Sequence, residues 1–386
     1  GHTVVNERGK FILNLLPSGI LRENVVNVIG NGVVVDVKHL VEEMGRLRDA
    51  GIKITPENLK ISDRAVICMP YHVMQDCLEE GRLSDKKFGS TRRGIAPVYG
   101  DKYMKKAIRM GELFDMKALK ERLADILEWK NLTLCNVYGG EPVSLNGMTE
   151  HLKRYGEQLL PFITDVGLYL TEAEKAGKKI MFEAQLGALR DIDFGIYPYT
   201  SSSNAIAAYA PVGAGVPNLK LDLSIGIMKA YSTCVGEGPF TAEYFGDKAE
   251  DLRKAGGEYG AATGRPRRVG PFDAVASKYG IRIQGADEIA LTKLDVLSYA
   301  KEIEVCVAYE KDGKQTTDFP FPQHLDSYKP VLKTVKGWNC DISGCRKKED
   351  LPKEAREYIE FLEASIGAKI KYVSVGAERE AYIVMY

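Results

Sequence analysis

The 386-residue sequence predicts an α/β protein with a large, mostly parallel central sheet flanked by helices, and three observations carry that reading. Apolar runs rich in β-formers alternate with helix-period segments for most of the length. Helix-stop signals stand directly before some of those runs. No internal repeat, low-complexity tract or long Pro/Gly/Ser linker divides the chain, so residues 1–386 read as a single domain with elaborated loops and subdomains.

The elements follow in order. Residues 27–36 (NVIGNGVVVD) are β-formers broken by an Asn-Gly turn signal. They lead into a helix whose Leu40, Val41, Met44 and Leu47 recur at helical spacing. A second helix begins after Asp115 and carries Leu119, Leu123, Ile126 and Leu127 on one face. Residues 171–176 (TEAEKA) end at Gly177, and 179–182 (KIMF) then read as a buried strand. The same order repeats at 352–368, followed by the run 370–375 (IKYVSV). Ile289, Ala290 and Leu291 form a further buried strand, directly before Thr292-Lys293-Leu294-Asp295.

Composition narrows the function. With 53 basic and 53 acidic residues the formal net charge is zero, which argues against a broad electrostatic grip on nucleic acid or an anionic membrane. Seven scattered cysteines without a CxxC pair suit a reducing compartment, and five distant histidines give no metal signature. No apolar run is long enough to span a bilayer and no signal peptide opens the chain, so the expectation is a soluble cytoplasmic protein. The first residue is Gly1 rather than Met, which reads as a chain processed, trimmed or cut short.

The TKLD tetrapeptide is the first chemical signal. An Asp carboxylate can accept hydrogen bonds from both N1–H and the 2-amino group of guanine, while a Lys stem covers the flat base. Adenine offers no such donor pair. Alone, the tetrapeptide also fits a solvated Lys/Asp pair at a strand end, and the GxxxxGK[ST] phosphate loop that accompanies many nucleotide sites is absent.

Several ordered segments together resemble the adenylosuccinate synthetase family. They are the opening GHTVV, 15–22 (LLPSGILR), 29–36 (IGNGVVVD), 69–72 (MPYH) and 89–102 (GSTRRGIAPVYGDK). The series continues with 197–204 (YPYTSSSN), 229–240 (KAYSTCVGEGPF), 262–270 (ATGRPRRVG), the TKLDVL block and 374–379 (SVGAER). The resemblance covers essentially the whole chain. It implies a P-loop-NTPase-like fold and a ligase of purine (AMP) biosynthesis that joins IMP to L-aspartate with GTP as co-substrate. The implied route phosphorylates the 6-oxo group and then displaces phosphate with the aspartate amine, with Mg²⁺ as cofactor and a homodimer as the working form. The family's Gly/Lys phosphate loop and the Asp that serves as general base would precede Gly1, so the chain as printed is expected to bind GTP weakly, fold poorly and not catalyse.

Residue roles carry over by position, as what the resemblance implies. His2 matches the catalytic histidine, an acid toward the phosphoryl group or the 6-oxygen, which also touches GTP and IMP; alone it would read as a frayed terminal residue. Gly1 matches the residue whose carbonyl helps hold Mg²⁺, and Thr3 lies beside the GTP phosphates. Lys293, Leu294 and Asp295 match the guanine readers, with Ser374, Val375 and Gly376 against the other side of the base. Thr91 and Ser201 match hydroxyls on the IMP side. The loop of Ala261, Ala262, Thr263, Gly264, Arg265, Pro266 and Arg267 matches the aspartate site; Arg265 also serves IMP and Arg267 also serves GTP. Arginine suits that work because its planar fork pairs bidentately with carboxylate.

Two positions depart from the family pattern. Lys105 stands where many members carry an Arg that reaches the IMP phosphate across the dimer; it keeps the charge and loses the fork. Residues 183–191 (EAQLGALRD) replace the commoner E-G-A-Q-G, so Leu186 falls on the purine-contacting Gln position and Gln185 precedes it. Either Gln185 reaches the ring by a local backbone shift, or that contact is replaced. Two other functions stay open at this level: a related synthetase that uses dGMP to make a 2-aminoadenine precursor, and a non-catalytic GTP-binding module.

Overall fold

The computed structural model describes residues 2–184, 186–260, 264 and 266–386. The chain opens with an antiparallel hairpin, β1 (His2–Asn6) and β2 (Gly9–Leu13), in which His2 faces Leu13. The strands β3 (Asn27–Ile29) and β4 (Val34–Val35) flank the Asn-Gly turn and run into α1 (Val37–Asp49). Asp36 caps that helix by accepting from His39 N–H at 3.0 Å, and Leu40, Met44 and Leu47 are buried as their spacing requires. The glycines of the turn are there for close approach. A Cβ on Gly30 would meet the Gly213 carbonyl oxygen at 2.3 Å.

Next come β5 (Leu59–Ser62), β6 (Val66–Ile67), α2 (Pro70–Leu83), α3 (Ile95–Tyr103) and α4 (Met116–Leu132). Asp115 caps α4 through the N–H groups of Lys117 and Ala118. The strands β3, β5 and β7 (Ile163–Thr164) form a parallel sheet, and β4 pairs in parallel with β6. The helix α5 (Val166–Lys175) follows, and the first core packs these sheets against α1 and α4.

The second half places β8 (Ile225–Lys229), β9 (Ser232–Cys234), α6 (Gly246–Gly256), β10 (Arg268–Gly270), β11 (Phe272–Asp273), α7 (Ala274–Gln284) and β12 (Glu288–Thr292) in order. The long β13 (Glu302–Lys311) pairs in parallel with β11 and antiparallel with β14 (Lys314–Thr316) and β15 (Lys329–Lys336). Then α8 (Lys353–Ile366) leads to β16 (Ile370–Ser374) and β17 (Tyr382–Val384). The strands β8, β12 and β16 are parallel neighbours with β12 in the middle, and β17 closes the far edge antiparallel. A second core lies between this sheet, α8 and Phe272, Val305 and Trp338. The architecture is α/β, with parallel sheets flanked by helices, as the alternation of apolar runs implies.

One element differs from its sequence reading. Residues 179–182 form no strand, and Met181 is 84% exposed. β-propensity needs a partner edge to act on. Here the segment pairs with none among the described residues and runs along the wall of a cleft instead.

Candidate active site

The parallel trio β8–β12–β16 decides where the chemistry gathers, because loops that leave the carboxyl ends of parallel strands share one edge. Thr292 pairs with Lys229 at the end of β8, and Leu291 with Val373 near the end of β16. Lys229, Lys293–Asp295 and Ser374–Gly376 therefore emerge side by side, although they are far apart in sequence. Lys293 takes a left-handed backbone (φ 61°) that turns the chain sharply out of β12. The Leu294 and Val375 side chains are fully buried, so these two residues can offer a ligand only their backbone. The hydroxyl of Ser374 donates to the Gly376 carbonyl at 2.9 Å. Burial raises the Asp295 carboxyl above its ordinary value, with Lys293 opposing.

At the root of this edge lies a residue the sequence reading did not single out. Glu258 is fully buried two residues beyond the end of α6. Its Oε1 accepts from Tyr231 Oη at 2.6 Å, Lys293 Nζ at 2.8 Å and Lys229 Nζ at 3.0 Å. Its Oε2 accepts from Arg267 Nη1 at 2.6 Å. Burial opposes its charge, but the bonds from Lys293 and Tyr231 and the charge of Lys229 outweigh it and hold the carboxyl down at about 2. The stabilisation is thus present above the ordinary carboxylate range and is lost as pH falls through that range toward 2. Its only sequence signal is an acid standing between a glycine-ended helix and the RPRR run. Charge compensation could have nominated it, but not its four partners.

A cleft of about 2400 Å³ runs from Lys229 and Arg267 past Tyr197, Ser201 and Leu186 to Thr91. Thr91 sits exposed in the loop 88–94, which two buried carboxylates of α2 hold in place. Asp76 Oδ2 accepts from Gly94 N–H at 2.8 Å, and both its oxygens accept from the Ser90 hydroxyl. Glu80 accepts from the N–H groups of Phe88 and Gly89. Gly94 begins α3 at φ 75°, where a Cβ would press within 2.8 Å of the His72 backbone. The MPYH motif explains why that backbone stays fixed. His72 Nδ1 accepts from Met69 N–H, which leaves the proton on Nε2 to be donated to Asp101 at 2.9 Å. Burial lowers the His72 pKa, against the pull of Asp101, and Lys130 pairs with the other Asp101 oxygen at 2.8 Å.

Ser201 is placed by its neighbours across the cleft. Its N–H donates to the Arg190 carbonyl at 2.9 Å. The Arg190 guanidinium donates to the carbonyls of Tyr199, Val235 and Glu237, tying the YPYTSSS segment to the turn after β9. Fully buried Asp191 accepts from the N–H groups of Asp193, Phe194 and Ala205 and fixes the rest of that segment.

His2 lies beside the cleft wall. Its Nε2 is buried, makes no hydrogen bond among the described residues and stands 3.6 Å from Glu183 Oε1. Glu183 lines the cleft and accepts from both the N–H and the hydroxyl of Ser18. Thr3 is exposed one residue further along β1. Leu186 is half exposed in a left-handed conformation (φ 79°) that is unusual for a branched side chain. Lys105 is exposed at φ 63° just past α3 and does not line the cleft. Gly264 and Pro266 are exposed. Gly1, Gln185, Ala261, Ala262, Thr263 and Arg265 lie outside the described residues. Gly1 was the single metal ligand expected, and among the described residues no group of three or more His, Cys, Asp or Glu is placed to hold a metal ion. No described helix is long and apolar enough to cross a membrane.

Comparison with known proteins agrees with this geometry. The family model for adenylosuccinate synthetase matches residues 1–383. The adenylosuccinate synthetase of Thermoanaerobacter sp. (strain X514) is 43% identical over 386 residues, covering 100% of this chain and 90% of that one. The enzyme of Lactococcus lactis subsp. lactis (strain IL1403) is 41% identical over 382 residues, covering 98% and 88%. Among solved structures, the fully ligated adenylosuccinate synthetase from Plasmodium falciparum superposes with a TM-score of 0.93 at 33% identity, covering 100% of this chain and 91% of that one. Cyanophage S-2L succinoaminodeoxyadenylate synthetase has a TM-score of 0.57 at 18% identity, a likeness of fold alone. The chain belongs to the adenylosuccinate synthetase family and is a GTP-dependent ligase that joins IMP to L-aspartate.

Proposed function

We propose that the cleft and the strand-end edge divide the work of this ligation between a purine monophosphate side and a guanine nucleotide side. The observation that carries the division is the Glu258 hub, where Lys293 from the guanine edge and Arg267 from the cleft meet on one carboxylate. In this reading Asp295 accepts the two guanine donors, Lys293 covers the base, and Ser374–Gly376 flank it. Thr91 and Ser201 hold the IMP phosphate, and Leu186 or Gln185 adjoins the purine. Arg265 and Arg267, with the loop 261–267, bind the aspartate carboxylates, and Arg265 also serves IMP and Arg267 also serves GTP. His2 acts as acid toward the 6-oxygen as phosphoryl transfer develops charge there.

The 6-oxo group of hypoxanthine is a poor leaving group, so it is phosphorylated before the aspartate amine displaces it. The hypoxanthine oxygen then leaves on phosphate. IMP labelled with ¹⁸O at C6 should deliver its label to inorganic phosphate, read by mass spectrometry. Label retained in the nucleotide product, or found in water, would remove the phosphorylated intermediate from the route. Mg²⁺ belongs to the reading as counter-charge for the transferring phosphoryl group; the described residues supply no ligand cluster for it, so no step here depends on its geometry. The protein works in the cytoplasm as a homodimer in which Lys105, exposed outside the cleft, reaches the IMP phosphate of the neighbouring subunit.

The loop 88–94 gives a test of the phosphate side. Asp76→Ala removes the oxygen that accepts from both Gly94 N–H and the Ser90 hydroxyl, so both donors lose their partner. The expected result is a KM for IMP raised about tenfold, in line with a buried donor left unmade, with the KM for GTP near wild type. Equal rises in both constants would mean a general loosening of the fold instead.

A further inference from the structure

Glu258 closes the loop that carries Arg267 as well as meeting its side chain. The Glu258 carbonyl accepts from Arg267 N–H at 2.9 Å, and Tyr259 bridges Pro266 in the antiparallel sense one residue further in. The side chain of Glu258 thus stands at the neck of the loop 258–267, with its two oxygens facing different partners. Oε1 serves the guanine edge through Lys293 and Lys229, and Oε2 serves the loop through Arg267. A carboxylate is a rigid plane. Any rotation that follows Lys293 also moves the oxygen that Arg267 holds.

The charges make this contact obligatory rather than incidental. Three cations converge on one fully buried anion while their own side chains stay 27–36% exposed, and Lys293 also faces Asp295, so the carboxylate is the partner they share in the interior. Lys293 Nζ has a further acceptor in the Gly256 carbonyl at 2.7 Å, at the carboxyl end of α6 where the helix dipole favours a cation. Arg267 has no comparable alternative at its Nε, which is buried and without a hydrogen-bond partner among the described residues. A base that draws Lys293 over its face, or a carboxylate that draws Arg267, therefore shifts the carboxylate that the other cation holds.

We propose that Glu258 is a positioning residue that links the GTP and aspartate sites, so that each substrate tightens the binding of the other through it. The proposal rests on the assignment of Lys293 to GTP and of Arg267 to aspartate alongside its own contact to GTP, as given above. Two substrates linked in this way must affect each other reciprocally.

The test is Glu258→Gln in the full chain, a change of the same shape whose amide cannot accept at both ends. In the wild-type enzyme the Kd for aspartate should fall at least threefold as GTP rises from sub-saturating to saturating, and the Kd for GTP should fall with aspartate by the same factor. In E258Q both constants should rise at least tenfold and lose their mutual dependence. Constants within twofold of wild type, or a lowered Tm with the mutual dependence intact, would overturn the proposal. Should E258Q fail to fold, a cycle of Lys293→Met and Arg267→Lys in the otherwise intact enzyme decides the matter. Linked sites give a double variant whose kcat/KM departs more than threefold from the product of the single effects, and independent sites give the product. Failure of the functional reading registers separately, as a wild-type enzyme that makes no adenylosuccinate or an Asp295→Asn variant that keeps its GTP kinetics, and either outcome removes the link as well.

Discussion

Asp295→Asn is expected to lower kcat/KM for GTP by roughly 10²–10⁴-fold and to make xanthosine triphosphate the better substrate. The guanine N1–H and 2-amino group both donate, and an ionised carboxylate accepts both on its two oxygens. An amide accepts one and turns its own NH₂ toward the other. Xanthine carries a 2-oxo group at that place, which the amide can satisfy. The position of Asp295, one residue beyond buried Leu294 at the end of β12, keeps the backbone under the substitution fixed, so the change should act on recognition more than on folding. The wild-type residue should also show itself in pH. Burial raises the Asp295 carboxyl, and the form that accepts two bonds is the ionised one. The KM for GTP should therefore begin to climb, as pH is lowered, earlier than an exposed aspartate would make it. Steady-state kinetics with GTP and XTP across pH check both statements; unchanged GTP kinetics in the variant would dismiss Asp295 as the base reader.

His2→Ala is expected to lower kcat about 10²–10⁴-fold, the range for loss of a positioned general acid, with far smaller changes in the substrate constants. The Nε2 of His2 is buried, stands 3.6 Å from Glu183 Oε1 and makes no hydrogen bond among the described residues, so the substitution removes no structural hydrogen bond. Removing a ring at the start of an edge hairpin should cost little stability. A second measurement separates a shared site from a private one. Inactive His2→Ala subunits mixed with inactive Lys105→Glu subunits should regain activity, because one hybrid site then holds both intact residues. Activity that stays absent at every mixing ratio, with subunit exchange verified by mass, would show that Lys105 serves no neighbouring site.

How far the sequence reaches is best seen in particular residues. The helices after Asp36 and Asp115 were legible because capping and apolar spacing are local, and both lie where those signals put them. The strand before TKLD was legible for the same reason, since a short apolar run bounded by a turn leaves few alternatives. The run 179–182 misled because hydrophobicity reports a wish for burial and says nothing of a partner edge. Met181 ends on a cleft wall.

The candidate site divides along the same line. By itself the sequence determined the family and the ligase chemistry, and it nominated Thr91, Ser201, Arg267, Lys293 and Asp295 for the site, because ordered motifs preserve residue type and order. Only the tertiary structure decided that Lys229, Lys293 and Ser374 share one edge, since parallel pairing of β8, β12 and β16 brings together segments separated by long connections. It alone singled out Glu258, Asp76, Glu80 and Asp191, acids indistinguishable in sequence from the 53 that the chain carries. Burial is what separates them. A carboxylate withdrawn from water must be answered by donors, and which donors answer is settled by packing across the whole chain.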